Sequence, residues 1–174
     1  MLNIVKIKEE GDEMNKVIED SMAIINLYPE IFPHLYKQGF KLVGRIKKGN
    51  LILQDGVIIT FTQYTNGGKL SPNAKTIKKA KDFIIHQIAS DQSQKGATKK
   101  VLDEFVEYCK SKGAGNILLT VRAFNEKARK FYERYGFEYD SDINWNSKQT
   151  GIIPGVIYRL KLEKIKSKEF FTLS

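Results

Sequence analysis

Cysteine is nearly absent from this chain of 174 residues. Cys109 stands alone, so no internal disulfide can form and the fold must rest on its core. Histidine occurs twice, at His34 and His86, far apart in sequence, which leaves no Cys/His spacing for a metal cluster. No apolar run approaches the length of a membrane span, and the opening stretch MLNIVKIKEE lacks the apolar segment of a secretory signal. Internal repeats, domain linkers and low-complexity tracts are missing as well. These absences point to a reduced, cytoplasmic setting with no membrane partner. Acidic residues are also in short supply: 20 Asp and Glu stand against 29 Lys and Arg, a net charge of +9. That excess suits an anionic cofactor, a polyanion or an acidic protein surface, and equally a lysine-rich solvated surface.

What the chain does have is an ordinary globular composition, with 41% hydrophobic and 28% charged residues. Its length fits one domain over residues 1–163, with residues 164–174 as a C-terminal tail. Residues 3–8 alternate and predict a first strand. Met14, Val17, Ile18, Met22 and Ile25 recur near helical spacing and predict a helix over 13–27. Pro29 and Gly39 bracket a second, short helix over 29–38. Strand-like runs follow at 42–46, 51–54 and 57–64, the first two reading as separate strands or as one bent strand. Asp55 and Gly56 form a two-residue hairpin signal between the last two.

Residues 63–81 break the pattern. Gly67, Gly68 and Pro72 deny this stretch long regular structure, and Lys69, Lys75, Lys78, Lys79 and Lys81 crowd it. Loops this long are usually functional or mobile, so two readings stand: an exposed loop without a dedicated role, or a basic surface (69–81) for an acceptor or a nucleic acid.

The organising stretch is 82–137. It reads as a strand (82–89), a polar loop (90–98), a helix (99–112), a strand (116–121) and a helix (125–135) stopped by Gly136 and Phe137. The two strands have room for a parallel crossover through the first helix. The loop then lies at the C-terminal end of a strand and opens a helix, which makes its free N–H groups an anion site. In the first helix Val101, Leu102, Phe105, Val106 and Cys109 form one apolar stripe, so Cys109 reads as a core thiol. Residues 138–145 and 156–162 complete the sheet.

The motifs in this stretch resemble the GNAT acyltransferase superfamily. Ile88 ends the hydrophobic strand, and Ser93, Gln94, Lys95, Gly96, Ala97 and Thr98 take the place of the family's Gln/Arg-x-x-Gly-x-Gly/Ala loop. Gly96 matches, while Ser93 stands where Gln or Arg is usual and Thr98 where Gly or Ala is usual. The second signature, Asn-x-x-Ala-x-x-x-Tyr-x-x-x-Gly-Phe, matches in full as Asn125, Ala128, Tyr132, Gly136 and Phe137. The resemblance implies an α/β fold, a mixed central sheet of about seven strands flanked by about four helices. It implies acetyl-CoA as cofactor and acetyl transfer to a primary amine of a small-molecule or protein acceptor.

The resemblance also implies roles. The amides from Lys95 to Lys99 would cradle the CoA pyrophosphate, with Gln94 standing in for the missing long arm at Ser93. Main-chain groups of His86 and Ile88 would bond the pantetheine arm, and an amide near Ile88 would hold the oxyanion. Asn125 would cap its helix and bond the cofactor arm, with Ala128 and Phe131 bordering CoA. Tyr132 would donate a proton to the departing thiolate, a task suited to a phenol. Asp82 stands where some members carry a base, and its other reading is a strand-start charge facing solvent. His86 reads either as a base, alone or with Asp82, or as a histidine on a half-buried strand face. Two further functions stay open: a nucleic-acid-binding or nucleic-acid-modifying protein on this fold, and a non-catalytic CoA-binding module.

Overall fold

The computed structural model describes residues 1–148 and 151–162. The tail expected at 164–174 lies outside the described residues. The elements run β1 (Ile4–Val5), α1 (Asp12–Ile25), α2 (Val43–Lys48), β2 (Leu51–Gln54), β3 (Val57–Gln63), β4 (Gly68–Lys69), β5 (Ile77–Lys78), β6 (Phe83–Ser90), α3 (Ala97–Ser111), β7 (Asn116–Arg122), α4 (Glu126–Tyr135), β8 (Glu138–Ser147) and β9 (Gly151–Lys161). Seven strands form one mixed sheet in the order β1-β2-β3-β6-β7-β9-β8, and β4 and β5 make a separate small hairpin. The expected fold class is the one observed.

Two apolar layers sandwich the sheet. Val101, Leu102, Phe105 and Cys109 of α3 pack with Phe61 and Phe83 on one face, and Tyr132 and Phe137 belong to the same layer. Met14, Met22 and Ile25 of α1 pack with Leu42, Ile46 and Ile58 on the other. Burying one large aliphatic or aromatic side chain stabilises by about 1.5–3 kcal/mol, so each face is held by many such terms. Cys109 is fully buried within its stripe, and burial pushes its thiol far above the usual range, as expected of a core residue.

One helix is displaced from its expected place. Residues 29–38 form a string of single turns, with Phe32 N–H donating to Tyr28 O and Tyr36 N–H to Phe32 O. The helix forms later, as a 3-10 turn over Gly39–Leu42 that runs into α2 and stops at Gly49, whose φ is +72°. The strand expected over 42–46 is therefore helical. Leu42 and Ile46 are four apart and both bury against α1, and that packing outweighs their strand propensity. The first strand shrinks to Ile4 and Val5 on the edge, paired with Ile52 and Leu51.

The hairpin at Asp55 and Gly56 forms as expected, with φ values of +52° and +73°. The long basic loop is tied down. Buried Asp140 accepts hydrogen bonds from Lys75 N–H at 3.0 Å and Thr76 N–H at 2.7 Å. Lys78 Nζ bonds Asn66 O at 2.7 Å and lies 4.0 Å from the centre of the Tyr64 ring. No described helix is long and apolar enough to cross a membrane.

Candidate active site

The one parallel pairing in the described sheet lies between β6 and β7, and it is short. The register runs Phe83 with Ile117, Ile84 with Leu118 and Ile85 with Leu119. Beyond Ile85 the strands part. β7 stays with β9 as far as Arg122 opposite Gly155, and β6 stays with β3 as far as Ser90 opposite Val57. The divergence coincides with a bulge. Thr60 faces Gln87 while Phe61 faces Ile85, so β6 carries one residue more than β3 at His86. The extra residue bends β6 and frees one edge of its main chain around His86 and Ile88.

A cleft of about 410 Å³ opens in that splay. Its floor is β6 and β7. Asn125, Ala128 and Tyr132 wall it from α4, Phe32 and His34 from the turns before α2, and Trp145 and Ile153 from the β8–β9 hairpin. This is the C-terminal end of parallel strands, where open α/β sheets place their ligands.

Asn125 caps α4, its Oδ1 accepting the Ala128 N–H at 3.3 Å. The cap and the helix hand Tyr132 to the cleft. The Tyr132 ring is buried between Phe131, Phe137 and Tyr158, with centroids 5.6–6.3 Å away. Burial drives its phenol far above the ordinary value, so it stays protonated. Its hydroxyl carries no hydrogen bond among the described residues. Phe131 contacts Tyr132 and Tyr135 and is not part of the cleft wall.

The loop before α3 meets the other requirement. Gly96 takes φ +76° at the N-cap, and a Cβ added there would meet nothing within 4 Å. The glycine is therefore needed for its backbone conformation, with open space in front of it. The N–H groups of the first helical turn face outward from this end. Ser93 is used within the loop: its N–H donates to Asp91 Oδ1 at 2.9 Å, and both residues crowd Gly56 of the neighbouring hairpin. Lys95, Gly96 and Lys99 are exposed and Thr98 is half-buried, while Ala97 is buried against the core. Gln94 is exposed beside them, its carbonyl accepting the Ala97 N–H at 3.3 Å.

The two candidate bases part company. Four strand residues separate them, about 13 Å along β6. His86 lies on the cleft. Its Nε2 is 2.8 Å from Thr62 Oγ1, which accepts Arg45 Nη1 at 2.8 Å. Burial, and then the Arg45 charge, push the His86 imidazole down to about 4. It is neutral at pH 7 and a weak base. Asp82 sits at the far, N-terminal end of β6 and is 1% exposed, neither a solvent-facing charge nor a group on the cleft. Its carboxylate accepts Lys79 N–H at 2.9 Å, Gly115 and Asn116 N–H at 3.0 Å, and Asn116 Nδ2 at 3.2 Å. Asp82 is a staple between β6 and β7, and this corrects its assignment as a base.

Sequence reasoning missed Arg122 and Trp145. Arg122 ends β7 three residues before Asn125, and its Nε donates to Ile31 O at 3.1 Å. Trp145 reaches it across β9: the ring lies over Gly155, where any Cβ would collide with it, and its centre is 6.0 Å from the Arg122 guanidinium carbon. A strand-ending arginine just before the second motif was the available signal. None of the lysines at 69–81 lines the cleft.

The sequence model described as "Acetyltransferase (GNAT) family" matches residues 23–137. No curated protein matches the chain significantly. Solved structures do. A probable acetyltransferase from Staphylococcus epidermidis superposes with a TM-score of 0.68 at 11% identity, over 94% of this chain and 99% of that one. An N-acetyltransferase from Staphylococcus aureus gives 0.58 at 14% identity, over 85% and 94%. A GNAT-family structure from Desulfovibrio desulfuricans gives 0.60 at 15% identity, over 85% and 94%.

Proposed function

The chain belongs to the acetyltransferase (GNAT) family, and we propose that it transfers the acetyl group of acetyl-CoA to a primary amine by direct attack, without a covalent enzyme intermediate. The observation that carries this reading is the splay of β6 from β7 with Tyr132 lining the cleft it opens.

The cleft and the loop before α3 each have a task in that reaction. The first turn of α3 and the Gly96 backbone bind the pyrophosphate through N–H groups, helped by the helix dipole by about 0.3–1 kcal/mol. The free edge of β6 near His86 and Ile88 bonds the pantetheine amides as a further strand would. An N–H near Ile88 faces the thioester carbonyl and stabilises the oxyanion that forms when the amine nitrogen attacks its carbon. As the C–S bond breaks, Tyr132 gives its proton to the sulfur. The amine must arrive neutral, and Arg122 on the cleft, with Arg45 acting on His86 beside it, favours that form. Its surplus proton leaves through water, because His86 is too weak a base at pH 7.

Thermal unfolding with and without acetyl-CoA tests the binding half of this reading. A native-state ligand raises Tm by mass action, and Gly96→Glu should abolish the rise by placing bulk and negative charge at the phosphates. Release of CoA in the presence of amines tests the transfer half. A Tm rise without CoA release on any amine would leave a CoA-binding module and defeat the proposed reaction.

A further inference from the structure

We infer that the acceptor is a small amine that also carries a carboxylate, and that Arg122 binds this carboxylate at the acceptor end of the cleft; the inference rests on the transfer reaction proposed above. The cleft has a marked charge asymmetry. No aspartate or glutamate lines it among the described residues, while Arg122 does, beside His34 and His86, whose imidazoles are held below their ordinary value. A site built for a cationic amine, such as a diamine, would present a carboxylate to the ammonium. This one presents Arg122 as its charged side chain, among neutral polar groups such as Gln87, Thr120 and Asn125.

Arg122 is shaped for an anion. It is half-buried, and its Nε is spent on Ile31 O at 3.1 Å. The Trp145 ring lies beside it, its centre 6.0 Å from the guanidinium carbon. Its two Nη groups carry no hydrogen bond and meet no acidic side chain among the described residues. A guanidinium held at one nitrogen, with its outer fork free and partly desolvated, lacks its counter-charge. A carboxylate accepting both Nη groups would supply that charge and complete the donor set. The surroundings register the same field. The His34 imidazole is pushed below its ordinary value by burial, by Arg122 and by Lys41. The cleft, about 410 Å³ in all, must also take the acetyl end of the cofactor, which leaves room for a compact acceptor.

The chemistry is consistent with the transfer step. Arg122 neutralises the carboxylate of a zwitterionic acceptor. The amine reacts in its neutral form, with the distance between its two groups set by the span from Arg122 to the thioester carbon.

A defined acceptor panel tests this. CoA release at saturating acetyl-CoA is followed with glycine, β-alanine, 4-aminobutyrate and 6-aminohexanoate against n-butylamine and 1,4-diaminobutane. The best amino acid should exceed butylamine by at least tenfold in kcat/KM, and the diamine should be the poorest of all. In Arg122→Gln the amino-acid preference should fall to near one, chiefly through KM, and Arg122→Lys should recover part of it. Equal rates across the panel, a preference led by the diamine, or a full preference retained in Arg122→Gln would each overturn the assignment. The wild-type ranking decides the matter even if the variants fold poorly. CoA release with none of these amines, but with other amines lacking a carboxylate, sinks the inference alone. Acetyl-CoA binding without release on any amine sinks the transfer reaction beneath it.

Discussion

The Thr62 hydroxyl stands 2.8 Å from Nε2 of His86 while accepting Nη1 of Arg45 at the same distance. A hydroxyl has one proton to give. With Arg45 on one of its lone pairs, Thr62 either gives that proton to Nε2 or accepts a proton from Nε2 on the second lone pair, according to the tautomer of His86. The arrangement disfavours a charged imidazole, which would place a second cation beside Arg45 inside a half-buried wall of the cleft.

The consequence for stability has a definite sign. The folded pKa of His86 is lowered to about 4 from an ordinary 6.5. Between those values the unfolded chain binds more protons, so stability rises with pH across that window and gains nothing from His86 above it. The slope from one such group cannot exceed about 1.4 kcal/mol per pH unit, and solvent access reduces it. Urea unfolding at several pH values from 4 to 7.5 should therefore give a shallower pH slope in His86→Gln, which keeps an acceptor for Thr62. Parallel slopes in the two proteins would show that His86 titrates normally in the fold.

Tyr132→Phe separates chemistry from packing. The ring contacts with Phe131, Phe137 and Tyr158 survive the change, and the lost hydroxyl bonds no described residue. Stability and acetyl-CoA affinity should change little, while turnover should fall by roughly tenfold to a thousandfold, near the usual range for general acid catalysis. Affinity and turnover measured on one preparation decide it. Full turnover with intact binding would leave Tyr132 as a core aromatic.

The site was legible in the sequence where local chemistry dictates it. Gly96 must be a glycine at φ +76°, and Asn125 must cap α4 so that Ala128 and Tyr132 follow on the cleft side of the helix. Such positions show in a single sequence because the constraint acts within a few residues. The displaced second helix did not show, because Leu42 and Ile46 choose helix only by meeting α1 across the fold. Arg122 and Trp145 escaped notice for the same reason. They lie 23 residues apart and are brought together by the register of β7, β9 and β8, with Gly155 between them. Asp82 misled because parity along a strand fixes a face and says nothing about which end of the strand meets the cleft.

Asp82 yields the sharpest contrast between a structural and a chemical role. Its two carboxylate oxygens satisfy four N–H donors from Lys79, Gly115 and Asn116, and it pins the start of β6 to the start of β7. Asp82→Ala leaves buried donors without acceptors, at a cost of about 2–4 kcal/mol. Asp82→Asn keeps one oxygen, but turns an amide donor toward Lys79 N–H and Asn116 Nδ2, so it should cost less than the alanine and still be destabilising. Both variants should lower the urea midpoint, while the folded fraction at low temperature should retain the wild-type turnover and the wild-type pH profile. A base would behave in the opposite way: Asp82→Asn would leave the midpoint near wild type and depress turnover most at lower pH. Unfolding midpoint and pH–rate profile, taken on the same Asp82→Asn sample, distinguish a staple between two parallel strands from a group that takes a proton.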